Sequence, residues 1–268
     1  MSTGKLMAAG AAACLALGAA GIPVGAEEMA VDLELVIAVD VSGSMDREEF
    51  ALQRDGYVAA IRHPEFVGAV RSGDFGRIAL AYVEWSGSDR QSVIVPWRVI
   101  DGAESADAFA DALAAQPLVI DRGTSISAAL IFATSLFATN DLDGQRRVID
   151  ISGDGPNNFG PTVTMARDYA VGEGVVVNGL PILIRPSPLF PAMDRYYTDC
   201  VIGGIGAFVL PVRAKDEFAL AIRRKLVIEV ASRPGDPQLL HAAAYQPADC
   251  MVGERLRSKY ADPYLPGL

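Results

Sequence analysis

Residues 33–44 read LELVIAVDVSGS, and the reading of that stretch decides the fold. From Leu33 to Val39 the chain is apolar at every position but Glu34, too continuous for a strand with one wet face. It suits a central parallel strand covered on both sides. The run ends in Asp40, and Ser42-Gly43-Ser44 makes a turn of small residues. A helix is predicted from about Asp46 to Arg62. Asp46 and Glu49 stand at capping-box spacing, and Phe50, Tyr57, Val58 and Ile61 share one helical face.

The same alternation continues outward. Arg77–Trp85 and Gln91–Val99 read as strands joined by a polar turn, a hairpin that makes one sheet edge antiparallel. Pro96 belongs on such an edge, because it has no N–H to donate to a neighbouring strand. Trp85 and Trp97 are expected to pack that hairpin. Helices are predicted over Ala103–Ala115 and Gly123–Ala138, the second with Ile126, Leu130, Ala133 and Phe137 on one face. Arg147–Ser152 is a strand ending in Gly153-Asp154-Gly155-Pro156, followed by a helix from about Thr162 to Gly172. Val175–Ile184 is β-rich but interrupted by Asn178-Gly179, Ala207–Val212 is a short strand, and Asp216–Ala231 is a closing helix carrying Phe218, Ile222 and Leu226. Strands alternating with helices over some 200 residues predict an α/β fold: a doubly wound, mostly parallel sheet with one antiparallel edge strand and helices on both faces.

Residues 1–26 read as a signal peptide. Lys5 supplies the positive start, Leu6–Ile22 the apolar stretch, and Val24-Gly25-Ala26 the small residues before the cut. Cys14 follows Ala11-Ala12-Ala13, without the Leu usual at a lipoprotein cleavage site. The organisation expected is therefore a leader over 1–26, one domain over 27–231, and an irregular Pro-rich tail over 232–268 that wraps the domain. The mature chain carries no expected membrane span and is placed in the periplasm or outside the cell. Cys200 and Cys250 then remain, an even count that permits one disulfide in an exported protein. The formal net charge of −10 and the lack of a basic run argue against nucleic acid as a partner.

The chemistry lies at Asp40-Val41-Ser42-Gly43-Ser44. In a doubly wound sheet, the turn after a central strand lies on the edge that binds ligands. A D-x-S-x-S spacing puts one carboxylate and two hydroxyls at alternate positions of a tight loop, where they converge. Oxygen donors of this kind suit hard cations. Thr124, at the start of a helix, and Asp154, after another apolar strand, fall on turns of the same edge. His63 and His241 stand in no zinc spacing. There is neither a G-x-x-x-x-G-K phosphate loop nor a G-x-S-x-G elbow. Asp150 has no assigned role, and Asn157-Asn158 reads either as lining of the site edge or, more commonly after Gly-Pro, as plain loop.

Asp40, Ser42, Ser44, Thr124 and Asp154, in this order, resemble the metal-ion-dependent adhesion site of von Willebrand factor A domains, over about residues 31–231. Ser152-Gly-Asp-Gly-Pro-Asn-Asn158, Val177-Asn-Gly-Leu-Pro-Ile182 and Tyr196-Tyr-Thr-Asp-Cys200 are similar to an uncharacterised exported bacterial family of such proteins. One departure is Ser152-Gly153 before Asp154, where many A domains have a hydrophobic residue and then Thr or Ser. The resemblance implies a divalent cation (Mg²⁺ first, Mn²⁺ or Ca²⁺ next) touched by the two serines and Thr124. Asp40 and Asp154 would act close by, often through water. It also implies one open position that takes an acidic side chain of a protein or peptide partner. The function expected is a non-enzymatic, adhesion-type binding module. The alternative is a metal-dependent hydrolase using the same cation, which ranks lower because no histidine lies near these motifs to serve as a base.

Overall fold

The computed structural model describes residue 1 and residues 28–190, 192–232 and 247–260. Residues 2–26 of the proposed leader and His241 lie outside the described residues. In chain order the strands are β1 (Met29–Val31), β2 (Glu34–Asp40), β3 (Ile78–Trp85), β4 (Gln91–Ile100), β5 (Leu142–Gly144), β6 (Arg147–Gly153) and β7 (Val175–Pro181). The helices are α1 (Arg47–Arg62), α2 (Pro64–Arg71), α3 (Ala103–Ala114), α4 (Ile126–Leu136), α5 (Val163–Gly172), α6 (Met193–Tyr196), α7 (Phe218–Ala231) and α8 (Val252–Tyr260).

Five strands form the main sheet in the order β4-β3-β2-β6-β7. β2 pairs in parallel with both β3 and β6, β6 pairs in parallel with β7, and β4 closes one edge antiparallel to β3. This is the doubly wound, mostly parallel architecture with an antiparallel edge that the alternation predicts, and Pro96 lies on the edge strand. All seven residues of β2 and all eight of β3 are buried. Their side chains feed two apolar cores, one on each face of the sheet. Leu35, Ile37 and Val39 of β2 join Phe50, Tyr57 and Ile61 of α1 and Phe218, Ile222 and Leu226 of α7. On the other face, Val36 and Ala38 join Ile126, Leu130 and Ala133 of α4 and Val163 and Ala166 of α5. Trp85 is fully buried in this second core, and Trp97 donates from its indole to the Leu136 carbonyl at 3.2 Å.

α1 starts at the carboxyl edge of the sheet with the expected capping box, in which Asp46 Oδ1 accepts the Glu49 N–H and Glu49 Oε2 accepts the Asp46 N–H. Several expectations need correction. A second short helix, α2, follows at Pro64, where proline at the first turn costs no helical hydrogen bond, with His63 as its N-cap. α4 begins at Ile126 rather than Gly123, because Gly123 has φ of 86°, outside the helical region, and Ser125 is the cap. β7 runs unbroken through Asn178-Gly179. Residues 207–212 do not form a full strand; they touch β7 and the segment after it through isolated bridges at Val209 and Val212. β1 and β5 form a separate two-stranded parallel pair. The tail expected to be irregular contains α8, and Cys200 and Cys250 form a disulfide with Cα atoms 5.4 Å apart. Among the described residues no helix is long and apolar enough to cross a membrane.

Candidate functional site

Asp40 is the last residue of β2, and Asp154 follows the last residue of β6. These strands are neighbours, so the two carboxylates come to the same edge at the point where the chain order reverses, β3 lying on one side of β2 and β6 on the other. Asp40 is fully buried. Its Oδ1 accepts the Ser42 N–H at 2.7 Å, which bends the turn back over the strand end. Ser42 Oγ and Ser44 Oγ are 3.1 Å apart, and Ser44 Oγ donates to Asp154 Oδ1 at 2.6 Å. Four of the five sequence candidates are thus joined by hydrogen bonds. The fifth, Thr124, is 6% exposed, and a Cβ added at Gly155 would meet its Oγ1 at 3.6 Å, so the hydroxyl lies beside the Asp154-Gly155 turn.

The Thr124 loop is held from two sides. Toward the first turn, Asp121 donates its N–H to the Val41 carbonyl and pairs with Ser42 in an isolated bridge. Toward the Asp154 loop, the Thr124 N–H donates to Asn158 Oδ1 at 3.0 Å and the Asn158 N–H donates to the Thr124 carbonyl at 2.9 Å. Asn157 is fully buried; its Oδ1 accepts the Ser127 N–H and its Nδ2 donates to Glu254 Oε1 of α8 at 2.7 Å. Of the two sequence readings of this pair, plain loop or lining of the site edge, the second is nearer: it is a clamp that sets where Thr124 stands. An Asn-Asn dipeptide three residues past Asp154 was the visible signal, but its partners are distant in sequence.

Burial pushes the Asp40 carboxyl well above the usual carboxylate range, and the neighbouring Asp154 charge pushes the same way, while the Ser42 hydroxyl and N–H pull it back. Burial also raises the Asp154 carboxyl, and the Ser44 hydroxyl opposes it. Arg185 stands at the rim, exposed and paired with Glu49, and 3.5 Å from Asp46. Asp40 Oδ2 is buried without a hydrogen-bond partner. A buried, unpartnered carboxylate oxygen costs several kcal/mol unless something positive meets it. Two carboxylates and three hydroxyls are the donor set a hard divalent ion prefers. Among the described residues no three His, Cys, Asp or Glu side chains converge. The donors at this edge are rich in neutral hydroxyls. The residues present therefore fit such an ion. Ser44 is exposed, so the cluster opens to solvent on one side.

Sequence reading missed two further features of this edge. Tyr197, from a π-type helical turn over Tyr197–Val201, brings a fully buried hydroxyl over Gly153. Gln53 of α1 donates from Nε2 to Ser152 Oγ at 3.1 Å, tying the end of β6 to the first helix. His63, by contrast, sits at the far end of α1, about 24 Å along the helix from this edge. There it bonds Arg223 at 2.8 Å.

No curated protein matches the chain. Several solved structures share its fold at low identity. Proximal thread matrix protein 1 from the mussel byssus, in a form with a zinc-occupied metal-ion-dependent adhesion motif, is 18% identical with a TM-score of 0.56 over 77% of this chain and 49% of that one. The pilus adhesin SpaC from Lactobacillus rhamnosus GG, in its open conformation, is 14% identical with a TM-score of 0.56 over 75% of this chain and 30% of that one. A von Willebrand factor type A protein from Catenulispora acidiphila is 16% identical with a TM-score of 0.52 over 75% of this chain and 43% of that one. The chain thus spans less than half the length of each of these. The fold is that of a von Willebrand factor A domain, and, with residues 30–234 matched by one family model, the chain belongs to the family described as "Protein of unknown function (DUF1194)".

Proposed function

We propose that the protein is a metal-dependent binding module of the adhesion type. Ser42, Ser44 and Thr124 hold a divalent cation, Asp40 and Asp154 stand close to it, and an acidic side chain of a protein or peptide partner completes the coordination. The carrying observation is the buried, unpartnered Oδ2 of Asp40 beside a second carboxylate already linked to it through Ser42 and Ser44. With few full charges around it, the ion would stay electrophilic and hold an incoming carboxylate well. Val119 and Ile120 are 58% and 43% exposed, and Ile120 lies beside Gly43, so the open side of the loop has an apolar rim for the partner's neighbouring residues. Mg²⁺ is the first choice for oxygen donors, with Mn²⁺ and Ca²⁺ next. The zinc-occupied motif of the mussel protein adds Zn²⁺ to the ions worth testing. The disulfide fits an oxidising compartment, as the expected leader does, and supports placement in the periplasm or outside the cell.

Calorimetry with each of the four ions is the test. Binding is expected in the unaltered protein and absent in Asp40→Ala and Ser42→Ala, and a failure of the unaltered protein to bind any of them removes the proposal. Retention of acidic peptides on the immobilised protein should vanish with chelator. Binding is favoured over hydrolysis because no histidine stands among the site residues. Ion-dependent turnover of ester or phosphate substrates, lost in Asp154→Ala, would reverse that preference.

A further inference from the structure

Tyr197 is seated at an unusual cost in side chains. Its ring lies over Gly179 of β7, where a Cβ would come within 2.6 Å of the ring. Its hydroxyl lies over Gly153 of β6, where a Cβ would come within 2.9 Å of both the Tyr197 hydroxyl and Asp40 Oδ2. Any residue but glycine at either position would displace the phenol. The two strands are paired in parallel, with Gly179 opposite Ile151, so the phenol runs diagonally across them toward the carboxyl edge. The turn that carries Tyr197 is fixed at its other end by the disulfide at Cys200 and by Asp199, whose Oδ2 accepts the Ala248 N–H at 2.6 Å.

The hydroxyl delivered this way has no hydrogen-bond partner although it is completely buried, and Asp40 Oδ2 is in the same condition. A hydroxyl buried without a partner bears the full cost of its lost hydration. Both atoms lie within 2.9 Å of the point a Cβ would take at Gly153, which glycine leaves clear. The absence of a side-chain hydroxyl at Gly153, the departure noted in the sequence, is matched by a hydroxyl arriving from elsewhere in the chain.

We propose that Tyr197 is a positioning residue of the cation site: its hydroxyl donates to the free oxygen of Asp40, directly or through one water, and fixes the orientation in which that carboxylate faces the ion. The inference rests on the cation reading above. Groups that orient metal-site carboxylates and histidines from behind are commonly worth about 10- to 100-fold in metal affinity.

The test is Tyr197→Phe, which keeps the ring and removes only the hydroxyl. Calorimetric affinity for Mg²⁺ and Mn²⁺ is expected to fall about 10- to 100-fold. The melting temperature in chelator should stay level or rise, because the metal-free chain loses only an unpartnered polar group. A merely structural role would do the opposite, lowering the chelator melting temperature. Tyr82→Phe is the control: Tyr82 is another buried phenol, beside Glu84 and Arg54 rather than Asp40, and the loss of its hydroxyl should leave affinity unchanged. Unchanged affinity in Tyr197→Phe, with binding intact in the unaltered protein, overturns this inference alone. No binding in the unaltered protein overturns the cation reading and this inference with it. Gly153→Ala is a second probe, expected to weaken binding by pressing on both oxygens at once, and tight binding there would also count against the inference.

Discussion

Replacing Lys225 with methionine is expected to cost about 3–5 kcal/mol of folding stability at pH 7, one of the largest single-residue effects in this protein. Lys225 is 1% exposed in α7, and its Nζ lies 2.9 Å from Asp150 Oδ1 and 2.5 Å from Glu229 Oε1. Both acids are equally buried. Glu229 Oε2 also accepts from Asn178 Nδ2 at 2.6 Å, and the ammonium lies 4.5 Å from the Phe208 ring centroid. Burial opposes the charge on Lys225, but the two carboxylates outweigh it and hold its pKa above the ordinary value. Methionine keeps most of the stem and removes the charge, leaving two buried acids face to face.

The pH dependence follows from the same group of residues. Burial pushes Asp150 up to about 6 despite Lys225, so the folded chain holds that proton longer than the unfolded chain does. Its contribution therefore lowers stability as pH rises from about 4 to about 6. In Lys225→Met the acids lose their counter-charge, so the deficit should be largest at pH 7 and shrink at pH 5, where protonation relieves it. Urea unfolding of both proteins at the two pH values checks this, and a variant within about 1 kcal/mol of the unaltered protein at pH 7 would sink it. Adding Asp150→Asn and Glu229→Gln should restore most of the loss, because the strain lies in unmatched charge rather than in lost volume.

Removing the disulfide as Cys200→Ser with Cys250→Ser should cost up to about 4 kcal/mol, the chain-entropy value for a closed loop of this size. The separation of the two cysteines is 50 residues. A second effect is expected at the site. α8 packs on the loop that clamps Thr124: Glu254 takes the Asn157 amide, and Arg257 Nη1 donates to the Asn158 carbonyl at 3.2 Å while its guanidinium stacks 3.7 Å from the Phe159 ring centroid. Gly253 is pressed so closely on Asn157 that a Cβ there would overlap its carbonyl. Without the disulfide this short helix depends on these contacts alone, since an isolated helix of its length is marginal in water. Trypsin should then cut at Arg255 and Arg257 well before the domain is degraded, and cation affinity should fall with the loosening of Asn157 and Asn158. Mass analysis of a timed digest decides the point. Equal digestion of the oxidised protein and the double variant would show that the disulfide does not hold α8 in place.

Much of the fold was legible in the sequence because it depends on patterns that are local. Continuous apolar runs mark buried parallel strands, Pro96 marks the edge, Asp46 with Glu49 marks a helix start, and the D-x-S-x-S loop sits where a strand hands over to a helix. The order of these signals alone specified a doubly wound sheet and named four residues that the structure joins by hydrogen bonds, with Thr124 beside them. What the sequence could not show is decided by contacts between residues far apart in the chain. Asn178-Gly179 looked like a break in β7, yet Asn178 is satisfied by Glu229 and the Phe208 N–H, and Gly179 is empty so that Tyr197 can lie on it. Lys225 lies on the buried face of α7, and the Asp150 that meets it comes from a strand 75 residues earlier in the chain. Asn157 and Asn158 read as loop until Thr124, Ser127 and Glu254 meet them. Periodicity and turn chemistry report what each segment does with its own neighbours, so the sequence by itself determined the architecture and the edge that carries the candidate site. Which polar group faces which across a packed core depends on how the layers close, and only the tertiary structure decided that.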